Sequence, residues 1–416
     1  MLTGVLIQIA FRNIWRNKRR TAFCFSSVGI TVFIFIVSLS MEDGITKSVN
    51  DTVQIYETGH VRVVSSQYEA ESEYMPVQYL VADGKNWREL AASIQGIPGV
   101  RAVFPRITTS ALLQESVIKN ALLSGIDIEV ETALNHFNLA KRNNGLIEGR
   151  WPASGANECV VGHIFANKAK LSIGDSIPLK TVSAQFSDRL WDPVITGIFN
   201  FDYYKYDATV IITDFERLQQ LLTLNEGTQQ LLIFVNNEKQ SPRIAVAVQN
   251  LLGEGSVVTD WNDNYWVAMQ RMNEWIYIIA FVVILVVASF LIINTMIMII
   301  HERIKEIGMM GCLGMTRAEI VKVFAYESFF IAALGALFGV FLGGILTAIM
   351  TNFPIRFGDI YGSSASAMPM SNTVFFQFSF MRLLSSWIIG VGVTLLCTLI
   401  PSLKSVYVEP VEALRR

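Results

Sequence analysis

Four long apolar stretches interrupt a sequence that is otherwise mixed in polarity. They run over Ala22–Met41, Trp275–Ile300, Phe324–Met350 and Leu383–Leu399. A helix needs about 20 apolar residues to cross the hydrocarbon core of a bilayer. The pattern therefore predicts an α-helical membrane protein with four transmembrane helices and a large domain inserted between the first and the second.

The second apolar stretch belongs to a longer segment without helix breakers. No glycine or proline occurs from Ser256 to Ile307, which begins polar and aromatic and ends charged at His301–Glu306. A helix of about 40 residues is roughly 60 Å long, about twice the thickness of the hydrocarbon core. We therefore predict a helix that crosses the membrane and projects from it as a stalk, with a start within Asn262–Asn264 as the alternative.

The inserted region has the pattern of a folded α+β domain. Its strand-like runs are His60–Val64, Val100–Phe104, Val117–Leu123, Glu158–Val161, Ser176–Leu179, Val194–Ile198, Ala208–Ile212 and Leu231–Val235. Helical patterns lie between them at Asn86–Ile94, Asp214–Leu222 and Pro242–Leu252. Strands mixed with short helices over this length predict an α+β domain of two subdomains.

Basic residues near the spans predict the orientation. They cluster before the first span, between the second and third, and after the fourth, at Arg12, Arg16, Lys18, Arg19, Arg20, Arg303, Lys305, Arg317, Lys322, Lys404, Arg415 and Arg416. Cytoplasmic loops carry an excess of Lys and Arg. Both termini are therefore predicted to be cytoplasmic and the inserted domain to lie outside.

The predicted organisation has nine segments. A basic amphipathic helix (1–21) precedes span one (22–41), and the inserted domain with its stalk helix (42–273) precedes span two (274–300). A cytoplasmic loop (301–322), span three (323–350), a short outer loop (351–382), span four (383–400) and a cytoplasmic tail (401–416) complete the chain.

Composition and motifs exclude several classes of function. The 33 basic and 35 acidic residues nearly balance, so nothing in the charge attracts nucleic acid. The four cysteines and four histidines lack metal-ligand spacing, and the sequence has no Gly-x-Ser-x-Gly nucleophile elbow. The glycines of Gly308–Gly314 lack the lysine that a P-loop requires. We predict no catalytic residues, no metal site and no cofactor bound by this chain.

The predicted cytoplasmic loop carries the most informative motif. A charged helix end at Glu302–Glu306 leads through Gly308 and Gly314 into a new helix at Thr316, with Glu319 as its capping-box partner. Its residues Ile304, Ile307 and Met310 share one helical stripe, which suits docking into a groove of a partner. The alternative is a solvated turn with ordinary caps.

Small and polar residues within the spans predict helix packing. Gly335, Gly339 and Gly343 recur at four-residue spacing in span three, and Asn294 lies within span two. Small residues let transmembrane helices approach closely, and polar groups bond neighbouring helices. The alternative for Asn294 is a contact with substrate or a role in coupling.

Several stretches resemble the FtsX-like, MacB-type permeases of ABC transporters. They are Ala10–Thr21, Gly149–Pro152, Glu158–Gly162, Leu171–Asp175, Glu302–Thr316, Pro401–Lys404 and Glu409–Arg415. A separate permease with an inserted domain of this size is nearest to the lipoprotein-releasing permeases LolC and LolE. By position in the motif, Glu302, Arg303, Lys305, Glu306, Gly308 and Gly314 are assigned to ATPase coupling.

The resemblance implies a mechanism and partners. A cytoplasmic ABC ATPase dimer would bind ATP and Mg, and this non-catalytic permease would transmit its motion to the domain outside a bacterial inner membrane. A second permease copy or paralogue and a periplasmic carrier or adaptor are further expected partners. Lipoprotein release or export of an amphipathic substrate is the expected function. The alternative is an FtsX-like transmitter that activates a periplasmic partner without moving substrate.

Overall fold

The computed structural model describes residues 8, 10–12, 18–113, 118–133, 145–302, 304–356 and 368–405. The chain forms two compact units. The inserted domain comprises residues 46–271 and 356–374, and the membrane unit comprises residues 1–45, 272–355 and 375–416. Most of the predicted N-terminal helix, 1–21, and the tail from 406 onward lie outside the described residues.

The elements follow one another along the described chain. Its helices are α1 Lys18–Thr52, α2 Ser66–Ala70, α3 Trp87–Gln95, α4 Ile128–Ala133, α5 His163–Ala169, α6 Tyr204–Thr209, α7 Phe215–Leu221, α8 Ser241–Leu252, α9 Tyr265–Glu302, α10 Ile304–Cys312, α11 Arg317–Met350 and α12 Phe380–Ser405. Its strands are β1 Val61–Ser65, β2 Val100–Leu113, β3 Asn120–Ile126, β4 Leu146–Gly149, β5 Glu158–Gly162, β6 Leu179–Val182, β7 Asp188–Trp191, β8 Val194–Phe199, β9 Val210–Asp214, β10 Gln230–Val235, β11 Ser256–Asp260, β12 Ile355–Arg356 and β13 Thr373–Val374.

Four helices of the described chain are long and apolar enough to cross a membrane. They are α1, α9, α11 and α12, and the mixed α+β domain lies between the first two, so the predicted fold class is confirmed. The first helix exceeds its predicted bounds of 22–41, because α1 continues to Thr52 and a π-helical turn follows at Val53–Thr58. Polar residues after Met41 end the apolar run without ending the helix.

The prediction that one helix starts at Ser256 is wrong. Ser256–Asp260 forms strand β11, which pairs antiparallel with β1 from Val61↔Asp260 to Ser65↔Ser256. The absence of glycine and proline permits a strand as readily as a helix, and pairing with β1 selects the strand. Helix α9 begins after Asn264, whose Oδ1 accepts a hydrogen bond from the Trp266 amide at 2.9 Å.

Within the described residues, the inserted domain has a sheet of 11 strands, and β12 and β13 pair in a separate sheet of two strands. The main order of the larger sheet is β11-β1-β10-β2-β3-β9-β5-β8-β4, with β6 pairing β2 and β7. Most pairs are antiparallel, whereas β3–β9 and β5–β8 are parallel. The larger sheet is continuous across the domain, and the division into two subdomains stays a prediction.

Apolar residues cover both faces of this sheet. Neighbouring residues of a strand point to opposite faces, and Ile211 and Ile212 accordingly belong to different apolar clusters. The larger cluster includes side chains of α3, α5, α7 and α8, such as Ile94, Phe165 and Leu218. The other includes Phe199, Phe201 and Tyr203.

Strand bounds differ from prediction mainly near short helices. The predicted strand Ala208–Ile212 begins at Val210, because Tyr204–Thr209 forms α6. The predicted strand Ser176–Leu179 is shifted, since β6 spans Leu179–Val182 and forms a hairpin with β7. Because β9 also pairs with β3 and β5, and β6 with β2, both bounds depend in part on strands distant in sequence.

Candidate coupling segment

Two apolar residues are exposed at the C-terminal end of α10, one within the helix and one directly after its last residue, Cys312. Met309 and Leu313 have 53% and 85% of their residue surface exposed. Residues four apart lie on the same helical face, so together they form an apolar pair at the end of α10. The sequence prediction did not include this pair, although two apolar residues four positions apart directly before Gly314 indicate it.

Gly314 ends α10 in a Schellman motif. The Met315 amide donates to the Met310 carbonyl at 3.1 Å, and the Gly314 amide donates to the Gly311 carbonyl at 3.1 Å. Gly314 has a φ of +90°, a conformation that disfavours a side chain. Its role is therefore conformational, because an added Cβ would meet nothing within 4 Å.

The predicted capping box at the start of α11 is confirmed. The Thr316 amide donates to Glu319 Oε2 at 2.8 Å, and the Glu319 amide donates to Thr316 Oγ1 at 3.4 Å. These two bonds satisfy amides that the first turn of a helix leaves without partners. The turn between α10 and α11 thus has defined geometry at both ends.

A small apolar cluster fixes α10 against α11. Ile320 and Phe324 are buried there, with Met310 and Met315 packed against them. Met310 therefore does not belong to an outward docking stripe, contrary to the sequence prediction. It packs inward because the Schellman turn folds α10 back onto the start of α11. The apolar residues exposed here are Met309 and Leu313 instead.

Only some of the predicted coupling residues lie within the part of the chain that the structure describes. Glu302 ends α9, Gly308 is buried within α10 and Glu306 is half-buried. Arg303 and the side chains of Glu302 and Lys305 lie outside the described residues. Their assignment to ATPase coupling stays a prediction.

The glycines of α11 lie against α1 within the same chain. A Cβ on Gly335 would lie 2.8 Å from the Phe25 carbonyl oxygen, and one on Gly339 would overlap the Gly29 carbonyl. A Cβ on Gly343 would lie 3.1 Å from the Ile36 side chain. Backbone carbonyls cannot move aside as side chains do, so α1 and α11 require these small residues. Asn294, by contrast, is exposed on α9.

Among the described residues, no group of three or more His, Cys, Asp or Glu side chains is arranged so that it could bind a metal ion. What the coupling segment offers chemically is an apolar pair on a short helix of fixed orientation, beside the charged end of a long helix.

Comparisons with known proteins place both parts of the chain. Residues 21–251 match the MacB-like periplasmic core domain, and residues 278–410 match the FtsX-like permease C-terminal family. The chain is 21% identical to the lipoprotein-releasing system transmembrane protein LolC of Xylella fastidiosa, over 100% of both chains. It is 20% identical to LolE of Haemophilus influenzae, over 94% of this chain and 93% of that protein.

Among solved structures, the chain is similar to the periplasmic region of MacB from Actinobacillus actinomycetemcomitans. That likeness has a TM-score of 0.35 at 11% identity and covers 56% of this chain and 95% of the other. The family matches carry the assignment. Permeases of this family are typically non-catalytic and imply a partner ATPase. The chain belongs to the FtsX-like ABC transporter permeases that carry a MacB-like core domain, and is a multi-pass membrane protein with a periplasmic domain.

Proposed function

We propose that this permease couples ATP hydrolysis by a separate cytoplasmic ATPase dimer to motion of its inserted domain, and thereby releases lipoproteins from a bacterial inner membrane. The observation that carries the proposal is the continuity of α9 from Tyr265 to Glu302, with α10 starting at Ile304. At 1.5 Å per residue, a helix of this length spans roughly 57 Å, more than a hydrocarbon core of about 30 Å. Displacement at one end of such a helix reaches the other.

The proposed ATPase contact is the apolar pair Met309 and Leu313. A short helix with exposed apolar side chains suits a groove on a partner, and the Schellman turn and capping box hold this helix in one orientation. ATP and Mg would be bound by the ATPase. The charged residues Glu302, Arg303, Lys305 and Glu306 would set the docking register.

The lipoprotein substrate is supported by the relatives. Proteins similar over the full length of this chain carry the names LolC and LolE of lipoprotein-releasing systems. We propose a second permease copy or paralogue, with both termini cytoplasmic, and a periplasmic carrier that receives the lipoprotein.

Docking is tested by co-purification of the ATPase with permease variants. Leu313→Glu places a charge in the apolar contact and is expected to lose most of the bound ATPase. Leu251→Glu is the control, because Leu251 is likewise an exposed leucine (51%, against 85% for Leu313) but lies on α8 of the inserted domain. Equal ATPase recovery with both variants would place the docking contact elsewhere.

The substrate is tested in proteoliposomes that contain the permease, its ATPase and a triacylated lipoprotein. ATP is expected to release lipoprotein to an added carrier, and a non-hydrolysable analogue is not. Hydrolysis without release, together with ATP-dependent activation of a periplasmic hydrolase, would favour the signal-transmitter alternative.

A further inference from the structure

Residues 368–374 form a strap that belongs to the inserted domain, although it lies between α11 and α12 in the chain. Asp202 holds this strap. Its Oδ2 accepts hydrogen bonds from Ser371 Oγ at 2.6 Å, from the Thr373 amide at 3.1 Å and from the Thr373 hydroxyl. The Asp202 carbonyl oxygen accepts another from the Asn372 amide at 2.6 Å. Three consecutive strap residues thus converge on one aspartate.

The turn that carries Asp202 is itself rigidly held. Asp202 has a φ of +58°, a conformation that aspartate and asparagine adopt more readily than most residues. Its amide donates to Asn200 Oδ1 at 2.8 Å, and the preceding amide, of Phe201, donates to the buried Asp207 Oδ1 at 2.8 Å. The acceptor therefore keeps its position without help from the strap.

Two further contacts attach the strap to the domain. Ser371 forms an antiparallel bridge with Tyr203, which is almost fully buried. The Ser371 amide donates to Ser48 Oγ at 3.0 Å. Bonds to a charged acceptor are roughly twice as strong as neutral ones, so the bonds to the Asp202 carboxylate are the strongest of these hydrogen bonds.

Only five residues, 375–379, join the strap to α12. Helix α12 starts at Phe380, and Gln377 is paired in both directions with Ser40 of α1. The Gln377 amide donates to the Ser40 carbonyl at 3.1 Å, and Ser40 Oγ donates to the Gln377 carbonyl at 2.7 Å. The segment between the strap and α12 is therefore short and is hydrogen-bonded to α1.

We propose that Asp202 is a latch that keeps the strap attached to the inserted domain throughout the nucleotide cycle. The strap is then a mechanical link between domain and membrane helices in addition to α1 and α9. The attachment stands independently of the proposed function, whereas its effect on transport rests on it.

The first test measures amide exchange of residues 368–374 in the full chain bound to its ATPase. Asp202→Gly removes the carboxylate and tolerates the positive φ, so exchange in the strap is expected to accelerate roughly tenfold or more. Asn225→Gly is the matched control, since Asn225 is exposed with a φ of +52° and lies in the same domain. Unchanged exchange in Asp202→Gly would overturn the latch.

The second test measures the distance between spin labels at Met368→Cys and Leu251→Cys, both within the inserted domain. The latch predicts one narrow distribution that is the same without nucleotide and with ATP plus vanadate. Asp202→Gly is expected to broaden it, and Asp202→Asn, which keeps one acceptor oxygen and the backbone conformation, to broaden it less. If the distance changes with nucleotide in the labelled protein that retains Asp202, the strap detaches during the cycle and the proposal is overturned.

The transport consequence is measured as lipoprotein released per ATP hydrolysed. Asp202→Gly is expected to lower this ratio several-fold, and Asn225→Gly is expected to leave it unchanged. If Asp202→Gly loosens the strap but leaves the amount of lipoprotein released per ATP unchanged, the attachment stabilises the domain locally and has no role in transport. Failure of the unsubstituted complex to release any lipoprotein would count against the proposed function, while the exchange and distance results would still decide the latch.

Discussion

The inserted domain and the membrane unit reach close packing by opposite means. The domain places specific polar partners in buried positions, such as Arg106 and Glu131, whose side chains are 4% and 0% exposed. The membrane helices instead omit side chains, at Gly335, Gly339 and Gly343, so that two backbones touch. We therefore expect the domain to lose stability when a polar partner is removed, and the membrane unit to lose stability when atoms are added to its glycines.

The largest effect is expected from Arg106→Met in the inserted domain. It leaves Glu131 buried without the two bonds that Arg106 Nη2 makes at 2.8 and 3.1 Å. Breaking one side of a buried ion pair costs about 3–5 kcal/mol. The free energy of unfolding, from denaturant titration of the detergent-solubilised protein, measures this loss.

Arg88→Met is its control. Arg88 pairs with Glu216, but both side chains are about half exposed (55% and 45%), and exposed pairs contribute about 0–1 kcal/mol. Equal losses for the two variants would refute the buried pair as a specific determinant of the domain.

A smaller effect is expected from Gly339→Ala in the membrane unit. The added methyl group would overlap the Gly29 carbonyl of α1, and overpacking typically costs about 1–3 kcal/mol. Gly392→Ala is the matched control, because a Cβ there meets nothing within 4 Å. Thermal unfolding followed by tryptophan fluorescence should show a lower midpoint for Gly339→Ala alone, and a loss in both would indicate a general intolerance of alanine.

The third effect depends on pH and returns to the inserted domain. Burial raises the pKa of Asp207 from its ordinary 3.8 to about 8, and burial lowers the pKa of His163, whose Nδ1 lies 3.9 Å from Asp207 Oδ2. At neutral pH both groups are therefore neutral, and their approach is not an ion pair. The folded state binds a proton on Asp207 that the unfolded chain loses near pH 4.

Stability from Asp207 is consequently full below pH 3.8 and is lost as the pH rises to about 8. The slope is at most about 1.4 kcal/mol for each pH unit. Asp207→Asn, which cannot ionise, should flatten this part of the stability curve relative to the unsubstituted chain. A curve of the same slope in both proteins would assign the pH dependence to other groups.

Local signals in the sequence predicted local structure well. The Thr316–Glu319 capping box is confirmed because both partners lie within one helical turn. The four spans are confirmed because length and polarity alone define them. The helix predicted from the breaker-free run at Ser256 is wrong, because only the pairing with β1 distinguishes strand from helix there.

The contacts that matter most for mechanism could not be predicted. Asp202 and Thr373 are 171 positions apart, and Gly339 meets Gly29 only after two spans have packed. Arg106 and Glu131 are closer in sequence, but they meet because β3, which leads into α4, pairs with β2 at Arg106↔Ile126. Each depends on the complete fold. No periodicity or motif records such pairs.

The most direct test of the coupling claim is the amount of lipoprotein released per ATP hydrolysed by Glu306→Gln. Glu306 lies on α10, and the substitution preserves its shape while removing its charge. Glu254→Gln, at an exposed position of the inserted domain, is the control. Coupling through α10 predicts a ratio several-fold below that of the unsubstituted permease for Glu306→Gln and an unchanged ratio for the control. An unchanged ratio for Glu306→Gln would contradict the predicted role of Glu306 in coupling.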